Sequence, residues 1–328
     1  MAETTLVLRG SEVRALLDER DAVEAVEGAF AHHGRGLTTM PPKVYLPLEP
    51  FGGDFRAMPV FSDGAAGLKW VNAHPHNPER FGLPAVMAVF VLSDPATALP
   101  LAVLDATYLT AMRTGAAAAV ATKHLARPES RSLGLIGCGA QARTILACHR
   151  LVMQLEDVRL CDRNPAAAEL LARAFPDLPC RPVELAEAAA ADVVCTTTPS
   201  RAPVVRAGHV RPGTHLNAMG ADAPGKQELD PEILAGARIF LDDREQATES
   251  GEVNVPLKQG ILRREAIAGT LGEVVAGLLP GRQAADEVTV FDSTGLAVQD
   301  LAVARIVYQR ARERGLGTPV ELIETGKC

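Results

Sequence analysis

The stretch "LGLIGCGAQARTILACHR", Leu133 to Arg150, decides the fold. A short apolar run, "SLGLIG", leads into Gly137-Cys138-Gly139-Ala140-Gln141-Ala142, and an apolar-periodic helix starts at the second glycine. In a chain with 28 glycines a lone G-x-G-x-x-A turn is weak evidence, so its neighbours must supply the weight. They do: about twenty residues beyond Ala142, at the end of the strand-like "VRLCD", stands Asp162. In that arrangement Gly137 makes the tight turn, Gly139 lets the backbone approach a pyrophosphate, and Ala142 permits close helix–strand packing. The helix N-terminus faces the anion, and Asp162 reaches the ribose hydroxyls. The pattern predicts a dinucleotide-binding βαβ unit; one without a ligand, or one for a different nucleoside, is the alternative. Asp162 favours NAD, because a 2′-phosphate would meet its charge, while Arg163 beside it keeps NADP open.

Outward from this turn, apolar strands alternate with helices. "SLGLIG", "VRLCD", "ADVVCTTT", "GTHLNAMG", "ARIFLDD" and "EVTVFD" are separated by helical segments, which predicts a parallel sheet covered on both faces. The first third reads differently. "KVYLPL", "DFRAMPVF", "AGLKWVNAH", "PAVMAVFVLSD" and "LPLAVLDA" are short, alternating or β-branched, and divided by Gly, Pro and Asp, as in a mixed antiparallel sheet. A helix over 107–125 and a last amphipathic helix, "LAVQDLAVARIVYQRARERG", complete the pattern. The fold class is therefore α/β, a Rossmann-type doubly wound sheet plus a second α/β domain. Residues 1–112, joined by a C-terminal helix at 305–328, form that second domain, and residues 113–304 form the dinucleotide-binding one.

Composition bounds the function. A hydrophobic fraction of 47%, a charged fraction of 22% and a net charge of −7 describe an ordinary soluble globular protein and argue against a nucleic-acid partner. No apolar run approaches the ~18–20 residues that span a bilayer, and "MAETTLVLRG" shows no export signal, so the expectation is a cytoplasmic protein without a membrane partner. The six cysteines form no C-x-x-C pair and read as structural thiols of a reducing compartment. His74 and His76 in "NAHPHNPER" lack a third ligand nearby, so no metal is expected.

Three ionisable residues stand in apolar or glycine-rich surroundings. Lys69 lies between Leu68 and Trp70, Arg113 within a helix of small residues, and Asp222 in "NAMGADAPGK" beyond a parallel strand, where α/β sheets bind ligands. Singly, each has a plain alternative: a strand lysine facing water, an arginine on a carbonyl, a turn aspartate before Pro224-Gly225.

Taken together, "DFRAMPVF…GLKWVNAHPHN", "LPLAVLDATYLTAMRTGAAAAVATKHLARPESRSLGLIGCGAQA", "GTHLNAMGADAPGKQELDPEIL" and "FDSTGLAVQDLAVA" closely resemble the ornithine cyclodeaminase/mu-crystallin family, and most of all its archaeal-type alanine dehydrogenase branch. The resemblance runs from about Met40 to the last helix. It implies a substrate domain through which two copies form a homodimer, and it places roles on these residues. Lys69 matches the active-site lysine that contacts substrate and shuttles protons, and Asp222 the acid acting on the amino or imino group or its attacking water. Arg113 matches an arginine at the cofactor–substrate junction, and Lys43 and Arg56 line the substrate side. Ala140, Gln141, Asp162, Thr198, Met219, Gly220, Lys226 and Ser293 fall on cofactor-contact positions, beside Gly137, Gly139 and Arg163.

Within the family, cyclodeaminases must hold a distal ammonium, and Arg56 in "DFRAMP" would repel it, with Asp54 as a partial offset. The expected substrate is a small amino acid or its 2-oxo acid, alanine/pyruvate first. Ornithine cyclisation or reduction of a cyclic imine is the alternative, and a non-catalytic crystallin-like binding protein is the reading from another class. A methyltransferase would share the glycine turn, but "GLKWVN" and "MGADAPGK" are not expected of one.

Overall fold

The computed structural model describes residues 4–324; Cys328, read above as one of the thiols, lies outside the described residues. The chain separates into two compact units, Met1–Arg113 with Leu296–Cys328, and Thr114–Gly295. The architecture is the α/β combination anticipated, with one antiparallel-rich sheet and one parallel sheet. No helix among the described residues is long and apolar enough to cross a membrane.

In the first unit the strands are β1 (Thr5–Leu8), β2 (Thr38–Thr39), β3 (Val44–Leu48), β4 (Gly53–Ser62), β5 (Ala65–Ala73), β6 (Val86–Ser93) and β7 (Pro100–Asp105), with a last short strand at Thr318–Val320. From β4 through β7 each strand pairs antiparallel with the next, and β2 and β3 both pair with β4. The β4–β5 hairpin is set by Asp63-Gly64, both at positive φ (50° and 70°), the two-residue turn whose twist matches the strands it joins. That turn fixes the pairing register of β4 with β5. Met58, Val60, Val71, Phe90, Leu92 and Leu104 fill the inner face. The helices Glu19–Gly34 and Ala297–Arg314 pack with this unit and bury Phe30, Leu301, Ala304 and Val307. The outer face carries Phe61, Leu68, Trp70 and Val89, each more than a third exposed.

Two features of this unit differ from the reading of the sequence. The last helix, Ala297–Arg314, coincides with the quoted string, but the segment that joins this unit begins at Leu296 and not at 305, and 325–328 of the range 305–328 lie outside the described residues. Gly315 takes a left-handed cap (φ 62°), Gly317 turns the chain again (φ 91°), and Thr318–Val320 pairs antiparallel with β1. β1 itself, "TLVL", pairs parallel with β7 and had no pattern long enough to announce it.

The second unit holds β8 (Ser132–Ile136), β9 (Asp157–Cys161), β10 (Cys180–Pro182), β11 (Val193–Thr196), β12 (His215–Ala218), β13 (Arg238–Leu241), β14 (Ile267–Thr270) and β15 (Thr289–Asp292). They run in the order β10-β9-β8-β11-β12-β15-β13-β14, every pair parallel. β11, β12 and β15 are buried along their whole lengths, as strands covered on both faces must be. One apolar cluster joins Ile136, Val194, Leu216, Leu234, Ile239, Leu241 and Val290. The order reverses between β8 and β11, which opens a crevice at their carboxyl ends, the place where doubly wound sheets take ligands.

A buried polar chain also crosses this unit. His149 meets the Thr122 hydroxyl (2.9 Å) and the Ile145 carbonyl (2.8 Å); Asn217 donates to Thr122 (3.0 Å) and meets His215 (3.1 Å), which meets Thr289 (2.9 Å). Burial pushes both imidazoles down, His149 to about 4 and His215 to about 3, so they serve as neutral hydrogen-bonding groups.

Close packing is tightest at Gly134 in β8, where a Cβ would meet the Ala188 carbonyl oxygen at 2.0 Å. Gly134→Ala is expected to destabilise the chain by about 1–3 kcal/mol through overpacking against backbone that cannot move aside. A urea titration checks this: the midpoint should fall at unchanged slope.

Candidate functional site

The residues expected on the substrate side, Lys43, Arg56, Lys69 and Arg113, all lie in the first unit, and two of them, Lys69 and Arg113, converge on an anion. Lys69 sits on β5 with its side chain turned to the inner face, while its apolar neighbours Leu68 and Trp70 point outward. Simple alternation would have put the lysine in water and its neighbours in the core. The inversion is explained by Asp300 on the helix Ala297–Arg314, whose Oδ2 lies 2.6 Å from Lys69 Nζ, both groups fully buried. Asp300 Oδ1 accepts from Arg113 Nε at 3.1 Å, and Gln299 Oε1 accepts from Arg113 Nη1 at 3.3 Å.

Electrostatics follow from this packing. Burial is the largest influence on Lys69, the Arg113 and Lys43 cations push in the same direction, and Asp300 opposes them; the ammonium titrates at about 7 instead of near 10.5. Lys69 therefore exchanges its proton near neutrality. Lys43 and Arg56 are buried as well. Arg56 is held by Asp54 through two bonds, Nε to Oδ1 at 2.8 Å and Nη2 to Oδ2 at 3.1 Å, and lies over the Tyr45 ring. Asp54 thus cancels much of the charge that the sequence argument set against ornithine, and that argument loses its force.

Apart from Arg113, which lies in the first unit, the residues expected to hold a dinucleotide lie in the second unit, at or beyond the carboxyl ends of β8, β9, β11, β12 and β15. Gly137 has φ 94°, and a Cβ there would strike Thr197 Oγ1 at 2.7 Å. Gly139 caps the helix Ala140–Val152 with no side-chain partner, and a Cβ on it would meet nothing within 4 Å. That leaves free backbone N–H donors with open space before them, the donor set an anion needs. Asp162 accepts from the Cys138 N–H (2.7 Å) and the Asn164 N–H (2.8 Å), which keeps its carboxylate beside the turn with lone pairs to spare for hydroxyls. Gln141 begins the same helix, and Arg163 is exposed just beyond Asp162. These residues fit a dinucleotide.

Sequence reasoning missed the acids that hold this ledge in place. Buried Glu228 accepts from the Thr198 N–H (2.6 Å), the Thr198 and Thr196 hydroxyls (both 2.7 Å) and the Gly220 N–H (2.8 Å). Buried Glu252 in turn accepts from the Glu228 and Leu229 N–H groups, and Asp292 from Val253 N–H at 3.0 Å. Met219 and Ser293 are tied into neighbouring strands by Met219 N–H to Thr196 O (2.9 Å) and Ser293 N–H to Ala218 O (3.0 Å). Asp222, in the loop after β12, pairs with Lys226 at 2.5 Å, so two residues assigned different tasks are direct partners. The sequence signal for Glu228 is its place inside "QELDPEIL", between turn and helix, which reads as a surface charge until the fold buries it. His74, of the histidine pair, bonds Asn72 (3.0 Å) and packs edge-on to Phe55.

Known proteins were compared with this chain. The sequence model of the ornithine cyclodeaminase/mu-crystallin family matches residues 3–315. An alanine dehydrogenase of Archaeoglobus fulgidus is 49% identical over 321 residues, covering 97% of this chain and 98% of its own. A solved archaeal alanine dehydrogenase dimer with bound NAD superposes with a TM-score of 0.95 at 48% identity, over 98% of this chain and all of that one. The Δ1-pyrroline-2-carboxylate reductase of Thermococcus litoralis, solved with NADH and L-proline, gives 0.92 at 36% identity, over 96% of this chain and all of that one.

Burial and the neighbouring Asp242 and Glu228 charges push Asp292 up to about 8, and Glu252 is likewise raised well above its ordinary value. A carboxyl whose folded value exceeds its unfolded one stabilises fully below about pH 4 and loses that contribution as pH rises towards 8. Asp292→Asn keeps the acceptor for Val253 N–H and removes the titration. Its melting temperature relative to wild type should climb from pH 4 to pH 8 and level off above; a constant difference would exclude this assignment.

Proposed function

The chain belongs to the ornithine cyclodeaminase/mu-crystallin family, and we propose that it is an NAD-dependent oxidoreductase of the CH–NH2/C=N group of a small amino acid, an alanine dehydrogenase converting alanine, NAD and water to pyruvate, ammonia and NADH, reversibly. The observation that carries the reading is the buried Lys69–Asp300–Arg113 cluster in a chain nearly half identical to an alanine dehydrogenase. NADP remains open as a second cofactor because exposed Arg163 stands next to Asp162.

Arg113, Gly137, Gly139, Ala140, Gln141, Asp162, Arg163, Thr198, Met219, Gly220, Lys226 and Ser293 are assigned to holding the dinucleotide. When bound, its nicotinamide ring supplies hydride acceptance and donation. The protein's task is to bind, orient and manage protons. Lys43, Arg56 and Arg113 are assigned to the substrate carboxylate. An ammonium cannot push electrons into a C=N bond, so the amine must first lose a proton. Lys69, exchanging near neutrality inside a dry site, is suited to take it. Asp222 stabilises the positive charge that develops on nitrogen and directs water to the carbon. Reductive amination uses the same groups in reverse, and reduction of a preformed imine omits only the water step, which accounts for imine reductases among the relatives.

Two copies are proposed to associate through the outer face of the first unit's sheet. Leu68, Trp70, Val89 and Phe61 leave an apolar surface there of the kind that isolated chains seldom expose. Cysteine usage suits the cytoplasm: the five described cysteines are free.

NADH and NADPH oxidation with pyruvate and ammonia, with other 2-oxo acids, and with cyclic imines tests the function directly. The expected result is the fastest turnover with pyruvate, ammonia and NADH; conversion of ornithine to proline without net cofactor change, as the sole reaction, would overturn it. Lys69→Ala should bind NAD as wild type does and lose ~10²–10⁴ in kcat; near-normal turnover would remove Lys69 from the chemistry. Leu68→Asp with Trp70→Asp should shift the mass seen by light scattering from dimer to monomer.

A further inference from the structure

Neither the motif spacing nor the family resemblance singles out Asp300. It lies on the stripe Ala297, Asp300, Ala304, Val307, Ala311 of its helix, a set of positions that is otherwise apolar and buried. An ionised carboxylate there costs several kcal/mol of desolvation at order of magnitude, and an apolar residue of similar size would stabilise the helix packing at least as well. Its two oxygens divide between two cations of different elements: Oδ2 faces Lys69 on β5 and Oδ1 faces Arg113 on the helix Thr107–Leu125.

We propose that Asp300 is a positioning residue for the substrate-side cations: with one carboxylate oxygen on each, it fixes Lys69 and Arg113 side by side and holds the Lys69 ammonium. The charged groups acting on Lys69 are Arg113, Lys43 and Asp300. Two are cations, and both they and burial drive the proton off; Asp300 is the opposing anion. Without that anion every remaining influence on Lys69 favours the neutral amine, and the proton it could return in the reverse direction is held less well. The bridge also sets the spacing of the two cations, because one rigid carboxylate plane dictates where each must point. The consequence for turnover rests on the function proposed above; the effect on Lys69 does not.

The test uses the full chain labelled at lysine, whose six lysines allow the Lys69 Nζ resonance to be assigned by comparison with Lys69→Ala. Wild-type Lys69 should titrate within about one unit of pH 7, and a lysine still charged at pH 10, or already neutral at pH 5, would overturn the proposal without any further variant. Asp300→Asn keeps an acceptor for Arg113 and presents an amide to Lys69, so the shape is retained while the charge is removed. Its Lys69 midpoint should fall by more than one unit, and the acidic limb of kcat/KM for amino-acid oxidation should move with it, while the Kd for NAD stays within about twofold. An unchanged midpoint in Asp300→Asn overturns the proposal. Gln299→Leu removes Arg113's other acceptor without a change of charge and should leave the midpoint in place; a shift equal to that of Asp300→Asn would mark general loosening and overturn it too. If wild type turns over no amino acid yet the midpoint moves as stated, the proposed function fails and this inference stands.

Discussion

The first unit is organised around one carboxylate shared between two cations. Bringing Lys69, Arg113 and Asp300 out of water is expensive, and geometry must return the cost: 2.6 Å to one cation and 3.1 Å to the other, with Gln299 accepting from the arginine as well. That requirement ties three distant pieces of chain to one point. It also fixes the facing of β5, since a register that turned Lys69 outward would leave Asp300 buried with half its partners gone. Leu68 and Trp70 are exposed as a result, so the polar interior and the apolar exterior of this sheet have a common origin.

The second unit meets a related problem in the opposite way. Its strand ends present backbone N–H groups at Thr198, Gly220, Leu229, Val253, Thr294 and Gly295, and each is answered by a buried acid: Glu228, Glu252, Asp292 or Asp242. Several acids packed together cannot all carry full charge, which is why burial and mutual repulsion raise Asp292 and Glu252. The result is a stiff ledge at the carboxyl ends of the strands, made rigid by side chains that do not themselves reach into the open space before Gly139.

What the sequence disclosed and what it concealed divide by distance along the chain. The glycine turn was legible because its logic is local: Gly137 needs a positive φ, Gly139 needs open space, and Asp162 comes one strand later at a fixed interval. The parallel sheet was legible from strand–helix rhythm. The direction of Lys69 was not, because alternation gives a period and no sign; the sign came from Asp300, whose position on the stripe Ala297, Ala304, Val307 was the one available clue. Glu228 and Glu252 carry no local pattern that marks them as buried; only the fold encloses them. Asp54 was weighed as a mere offset to Arg56, yet both its oxygens accept from the Nε–Nη2 edge of the guanidinium. Short β1 and the strand Thr318–Val320 carried too few residues to show a pattern, and each exists because the other completes the sheet edge.

The first unit is assembled from two separated lengths of chain, with the whole of the second unit encoded between them. During synthesis the segment bearing Lys69 and Arg113 leaves the ribosome with no carboxylate to receive it, and it waits while the parallel sheet is made and folds as a unit of its own. Only when the helix Ala297–Arg314 emerges do the two cations gain their common counter-ion, and only then can Thr318–Val320 close over β1. A nascent or prematurely terminated chain would therefore carry a finished nucleotide fold while Lys69 was still hydrated and without its counter-ion. Catalytic competence is in this sense the last thing translation delivers.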